Sequence, residues 1–312
     1  MRILVVGAGA IGGYFGGRLL EAGRDVTFLV RPRRAAQLAK TGLVIISRFG
    51  NVNLPSPSTV TADALRQPYD LILLSCKAYD LESAADSFAL AVGRNTAILP
   101  LLNGMRHMDY LTERFGGGSV LGGQCQISTT LDSEGHVHHL NDLHFLSFGE
   151  LDGAASQRAQ AIVATFTGAR FESKLSNTIL QEMWEKWVLI ATVAGINCLM
   201  RATLGDIVAA NAGNLSTALL DECAAIATAQ RFAPSVPSLE RARAFIITPS
   251  STFAASMLRD IERGAPIEAD HIIGDLLRRG GSGDHPLLRI AYAHLRAYEA
   301  RRTRENKVSQ AA

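Results

Sequence analysis

Near Met1 a short apolar run, Ile3 to Val6, meets the glycine-rich segment Gly7-Ala8-Gly9-Ala10-Ile11-Gly12. The run is too short for a helix and rich in β-branched residues, so it reads as a buried strand ending at Gly7. From about Ala10 to Ala22, Ile11, Tyr14, Phe15, Arg18 and Leu19 recur at helical spacing, and Gly23 stops the pattern. A G-x-G-x-x-G turn held between a strand and a helix commits the chain to a βαβ unit. Gly7 permits the tight turn, Gly9 lets backbone approach a pyrophosphate, and Gly12 lets helix and strand pack closely. The helix amino end then faces the anion, with Ala8, Ala10 and Ile11 completing the cradle. This placement points to a dinucleotide site rather than a plain glycine turn.

The second strand, Asp25 to Val30, bears on which dinucleotide. An NAD site wants an acid about 20 residues past the glycines for the ribose 2′-hydroxyl. Instead the strand runs into Arg31-Pro-Arg33-Arg34, and no Asp or Glu lies between Phe28 and Lys40. A guanidinium cluster there suits a 2′-phosphate, so the expected cofactor is NADP(H), with Arg31 as its reader. The competing reading makes these arginines a solvated first helical turn.

With 312 residues, 47% hydrophobic and 19% charged, the chain suffices for two domains with cores of their own. A formal charge of +2 and few aromatics argue against a nucleic-acid partner. No basic leader or apolar run long enough for a membrane span is evident, so the expected compartment is the cytoplasm and no membrane partner is foreseen. Cys76, Cys125, Cys198 and Cys223 are widely spaced and read as reduced thiols.

Further strands are expected at Leu43–Ile46, Tyr69–Ser75 and Thr96–Pro100. Lys77 follows the second of these and falls at the carboxyl edge where cofactors bind, unless it is a plain loop lysine. Asn103, in an Asn-Gly pair after the third, falls where a nicotinamide would sit. Between Ser119 and Glu150 short strands are expected to extend the sheet, carrying His136, His138, His139 and His144 as edge residues. No carboxylate at matching spacing makes a metal site of them, and no metal is expected. A boundary near Ser176 separates residues 1–175, an α/β nucleotide-binding domain, from a helical domain of 176–312. There the helix from about Asn177 to Met200 is apolar nearly all round, which makes Lys186 conspicuous. Burial draws an ammonium toward the pKa that a general acid in carbonyl reduction requires; snorkelling beside Glu182 or Glu185 is the alternative. Helices are expected over 216–230, 238–246, 252–263, 269–279 and 286–302, with a frayed charged tail after Arg301.

Gly7 to Gly12, Arg31, Lys77, Leu102-Asn103-Gly104-Met105, Trp184-Glu-Lys186, Ser256-Met-Leu-Arg-Asp260, Glu268-Ala-Asp270 and Gly274 together resemble the ketopantoate reductases (2-dehydropantoate 2-reductases). The likeness spans Arg2 to about Ala300, with the blocks in the family's order. It implies a Rossmann doubly wound sheet followed by an all-α domain of the 6-phosphogluconate dehydrogenase type, and hydride transfer from NADPH to a 2-oxo acid. It makes Lys186 the proton donor to the nascent alkoxide and sets Glu268 beside Lys186 and the nicotinamide ribose. Ser256 and Asn103 would hold the substrate, and Lys77 would lie on the cofactor.

The chain also departs from that pattern. Pantoate-forming members carry asparagines four, eight and eighteen residues after the lysine, where this chain has Ile190, Ala194 and Leu204. Ile190 and Ala194 share the helical face of Lys186, so a hydroxylated substrate would lose partners there. Asn197 returns to that face and is expected to replace one contact. Two functions follow from the sequence: a reductase of a 2-oxo acid, more apolar than ketopantoate, or a non-catalytic NADPH-binding sensor. Retention of both Lys186 and Glu268 favours the enzyme. The apolar helical domain is compatible with a homodimer.

Overall fold

The computed structural model describes residues 1–311. They form two compact units: residues 1–102 with 107–180, and residues 103–106 with the chain from Gln181 onward. The division therefore falls a few residues beyond the expected Ser176, and the Asn103–Arg106 segment joins the helical unit.

In the first unit the strands are β1 (Arg2–Val6), β2 (Asp25–Leu29), β3 (Leu43–Ile46), β4 (Val52–Leu54), β5 (Thr59–Val60), β6 (Leu71–Leu74), β7 (Ala97–Pro100), β8 (Gly122–Leu131), β9 (Val137–Gly149) and β10 (Glu172–Leu175). The helices are α1 (Ala10–Glu21), α2 (Pro32–Thr41), α3 (Leu81–Phe88), α4 (Arg106–Phe115) and α5 (Gln157–Phe166). One sheet is wholly parallel in the order β5-β2-β1-β6-β7. Its central strands are buried on both faces, which is why they read as unbroken apolar runs.

A second sheet runs β10-β9-β3-β4, with β8 antiparallel to β9. This corrects two expectations. Leu43–Ile46 does not continue the first sheet; that place belongs to the two-residue β5, inside what reads as a polar loop. Apart from Val120, which bridges Ile98 of β7 in parallel, the 119–150 strands join this second sheet instead of extending the first, and β9 is paired along both edges. Its histidines are therefore not edge residues: His139 is buried, and the Phe49 ring stacks on His144 with 3.9 Å between centroids.

Helix α1 lies between the sheets, and glycine on both sides makes that possible. A Cβ on Gly16 would stand 2.7 Å from Phe28 of the first sheet, and one on Gly17 the same distance from Ile45 of the second. Gly12 faces Val5 and Gly13 faces Val137 in the same way. One hydrophobic core accordingly joins Ile3, Val5 and Phe28 to Ile45, Val137, Leu146 and Phe148.

The helical unit comprises most of α6 (Ile179–Met200), then α7 (Leu204–Ala209), α8 (Gly213–Ala229), α9 (Val236–Ile246), α10 (Ser256–Glu262), a π-helical turn (Asp270–Gly274), α11 (Asp275–Arg279) and α12 (Pro286–Ala311). The charge run from Arg301 to Lys307 lies on the continuous, largely exposed end of α12, as expected of a solvated helix terminus. Among the described residues no helix is long and apolar enough to cross a membrane.

Candidate active site

The order of the parallel sheet reverses between β1 and β6, the place beyond which such sheets bind ligands. Gly7 leaves β1 with φ +94° and donates its N–H to Leu29 at the end of β2 (2.9 Å). Ser75, just past β6, donates its hydroxyl to the Val6 carbonyl at 3.0 Å. Gly12 packs onto this knot: a Cβ there would come 2.1 Å from the Gly7 carbonyl and 2.2 Å from Ser75 Oγ. Gly9, the N-cap of α1, is the opposite case, since a Cβ there would meet nothing within 4 Å. The first turn of α1 has no acidic residue and its cap offers no side-chain hydrogen bond. The positive end of the helix is thus uncompensated beside open room, and these residues fit a dinucleotide pyrophosphate.

The three arginines after β2 part ways. Arg31 caps α2 with its side chain 74% exposed and donates to Asp80 at 2.7 Å, and the Asp80 hydrogen bond pushes its pKa up. Arg33 is exposed. Arg34 is committed to the scaffold: Nε donates to the Ala8 carbonyl (3.0 Å), Nη1 to Gln37 (2.7 Å) and Nη2 to the Gly135 carbonyl (3.0 Å). Lys77, half-buried, caps the short turn that ends in Asp80. Arg31 and Lys77 therefore stand on adjoining segments, linked through Asp80.

The β8–β9 turn brings a carboxylate to the histidines, contrary to the sequence expectation. Asp132 Oδ2 lies 2.8 Å from His138 Nε2 and 3.2 Å from His136 Nδ1, while Oδ1 accepts the Glu134 and His136 N–H groups. The His138 hydrogen bond is foremost in drawing the Asp132 pKa down to about 2. These bonds close the turn.

Asn103, Lys186, Ser256 and Glu268 all belong to the helical unit. Lys186 is half-buried on α6, between the buried Trp184 and Trp187. Its neighbour Glu185 accepts from the Ser235 N–H (2.8 Å) and from Gln181 (3.2 Å). Trp187 Nε1 donates to the Ile272 carbonyl at 2.9 Å, and the Ile272 N–H donates to the Glu268 carbonyl at 3.0 Å. One indole-to-backbone bond and one backbone bond thus register the helix of Lys186 against the half-buried Glu268. Ile190 is half-buried, while Ala194 and Leu204 are buried.

Asn197, expected to contact substrate, is committed to the scaffold in this structure. It is fully buried, its Nδ2 donates to the Ala202 carbonyl (2.8 Å) and its Oδ1 accepts the Ala255 N–H (3.0 Å). It fixes the start of α10, whose first residue is the exposed Ser256. The sequence reading missed Asp80, Trp187 and His271. Of these only His271, a histidine directly before the apolar Ile272 and Ile273, leaves a visible signal.

Residues 3–153 match the family model described as ketopantoate reductase PanE/ApbA, and residues 178–299 match that of its C-terminal domain. The "uncharacterized oxidoreductase YkpB" of Bacillus subtilis (strain 168) is 40% identical over 304 residues, covering 96% of this chain and 99% of the relative. The crystal structure of 2-dehydropantoate 2-reductase from Methylococcus capsulatus superposes with a TM-score of 0.86 at 26% identity, covering 97% and 98% of the two chains. A D-mandelate dehydrogenase solved with NADH and anilino(oxo)acetate shares the fold, with a TM-score of 0.86 at 21% identity over 97% of this chain and 100% of that one.

Proposed function

The chain belongs to the ketopantoate reductase family, and on that premise we propose that it reduces a 2-oxo acid to the 2-hydroxy acid with NADPH. The observation that carries this reading is the Trp187–Ile272 hydrogen bond, which sets the helix of Lys186 in fixed register with the segment of Glu268. A proton donor needs such register; a sensor that only binds NADPH needs neither residue.

When bound, the nicotinamide supplies the hydride to the keto carbon. As negative charge gathers on the former carbonyl oxygen, the Lys186 ammonium stabilises it and yields a proton to it. Glu268 orients that ammonium, and Asn103 and Ser256 hold the substrate's polar groups. Arg31 takes the 2′-phosphate in exchange for Asp80. That exchange is easy, because an exposed ion pair contributes only about 0–1 kcal/mol, whereas a forked bond to phosphate is charge-assisted. Lys77 adds a second cation at the same edge.

Ile190 and Ala194, one and two turns beyond Lys186 on its face, favour an acid with an apolar side chain, because a ketopantoate hydroxyl would be left without a partner there. The test follows NADPH absorbance against a panel of 2-oxo acids, ketopantoate included, together with NADPH and NADH titrations. Apolar 2-oxo acids are expected to give the highest kcat/KM, and NADPH to bind more tightly than NADH. A panel in which no acid is reduced removes the reductase reading; tighter NADH binding removes the assignment of Arg31.

A further inference from the structure

The π-helical turn Asp270–Gly274 connects three parts of the proposed machinery. On one side its Ile272 carbonyl receives Trp187 of α6, and its start is bonded back to Glu268. On another it meets the Asn103–Gly104 turn. Gly104 has φ +82°, and a Cβ on it would stand 3.0 Å from the His271 carbonyl oxygen, 3.2 Å from His271 Cδ2 and 3.7 Å from Nε2. The backbone of the turn therefore rests directly on the His271 ring, so close that a Cβ would push the ring back by a few tenths of an ångström, and in a left-handed conformation that favours glycine. His271 is only 5% exposed. Burial pushes its pKa down, with Arg106 and Arg278 adding to the effect and Glu268 and Asp275 opposing it, so the ring is neutral at pH 7. The π turn opens the helical run that continues as α11, and single π turns are commonly kept at functional sites. Here it presents His271 to the turn and the Ile272 carbonyl to Trp187.

Resting on the reductase reading above, we propose that His271 is a positioning residue: its ring seats the Asn103–Gly104 turn against the segment that carries Glu268, and so fixes where the 2-oxo acid is held. It acts through the Asn103–Gly104 turn of its own unit, while the nucleotide-binding turn belongs to the other unit. Its removal therefore loosens substrate placement and leaves cofactor affinity alone.

The experiment compares the full-length protein with His271→Ala and with His271→Phe, which restores a ring of similar breadth. His271→Leu replaces the alanine variant if that one fails to fold. Hydrogen exchange of peptides covering Leu101 to Met108 reads the seating without catalysis. About fivefold faster exchange is expected in His271→Ala, with recovery in His271→Phe. In parallel, kcat/KM for the preferred 2-oxo acid should fall about tenfold or more in His271→Ala, while KM for NADPH stays within about twofold. Exchange unchanged by His271→Ala, a phenylalanine variant as impaired as the alanine one, or the two KM values rising together would overturn the proposal. If the wild-type protein reduces no 2-oxo acid, the reductase reading falls, and the exchange data still decide the seating role.

Discussion

Two alanine substitutions in the glycine turn should separate stability from cofactor binding. At Gly12 the new methyl would stand 2.1 Å from the Gly7 carbonyl oxygen, 2.2 Å from Ser75 Oγ and 3.1 Å from Val5 Cγ1, against 3.4 Å or more for ordinary contact. The overlap exceeds 1 Å, and one of the atoms is backbone that cannot rotate away, so α1 must lift off β1. Overpacking of this kind costs about 1–3 kcal/mol, and the depth of the clash puts Gly12→Ala at the upper end. For a unit of this length that is a fall of roughly 6–12 °C in Tm. At Gly9, φ is −80°, which alanine adopts freely, and no atom lies within 4 Å of the added carbon. The chain-entropy gain of about 0.4–1 kcal/mol is offset by alanine's poor capping, so Tm should move by no more than about 2 °C. Yet the methyl occupies the space a pyrophosphate must enter, and Kd for NADPH should rise at least about tenfold, or 1.4 kcal/mol. Thermal unfolding of the ligand-free proteins and fluorescence titration with NADPH measure the two effects. Adding Ser75→Ala to Gly12→Ala relieves one close contact and should recover less than half of the lost stability. The cradle argument would be refuted by a Gly9→Ala protein that binds NADPH as tightly as wild type, or that unfolds as early as Gly12→Ala.

Other expectations are as direct. Arg31→Ala should raise KM for NADPH about tenfold with kcat within about twofold, whereas Arg34→Ala, which strips donors from the Ala8 and Gly135 carbonyls, should lower stability by about 1–3 kcal/mol. The reverse pattern would transfer the 2′-phosphate to Arg34. Lys186→Ala should bind NADPH normally and turn over about a hundredfold more slowly or worse in steady-state assays; an active variant would exclude Lys186 from the chemistry. Ile190→Asn should shift the ratio of kcat/KM values toward ketopantoate by about tenfold, and adding Ala194→Asn should enlarge the shift if the buried helix tolerates it. Burial pushes the Cys198 and Cys223 thiols up to about 12, so both stay protonated at pH 8, and Cys125 is buried as well. A thiol-disulfide reagent should therefore find one fast group, Cys76, in the native protein and four after guanidinium; a second fast thiol would contradict the burial.

What the sequence revealed follows from how strongly burial patterns residues. β1, β6 and β7 are covered on both faces, so their apolar runs stand out, as does the switch to helical period at Ala10. β5 pairs through only Thr59 and Val60 and carries no pattern to detect. Strands β3, β8 and β9 are recognisable as strands, but nothing local tells them which sheet to join; that is settled by α1, whose second glycine face accepts Ile45 and Val137. Side-chain roles were legible where chemistry was out of place, as with Lys186 in an apolar helix. They were hidden where a polar group serves backbone far away in sequence: Asn197 for Ala255 and Arg34 for Gly135. The π turn has no propensity signature, since it arises from packing against Trp187 and the Asn103–Gly104 turn.

The helix between the two sheets has a consequence for how this unit assembles and how it diverges. Because one helix closes both sheets, neither can be completed without the other, and a fragment ending before β9 would strip Val137 from Gly13 and leave the β3 strand that covers Gly17 without its β9 partner. The nucleotide half should therefore melt in a single transition, not sheet by sheet. Random substitution along the helix should be purged at four sites in two diagonal rows, like a bolt threaded on opposite sides, with Glu21 held as well by its ion pair to the buried Arg18.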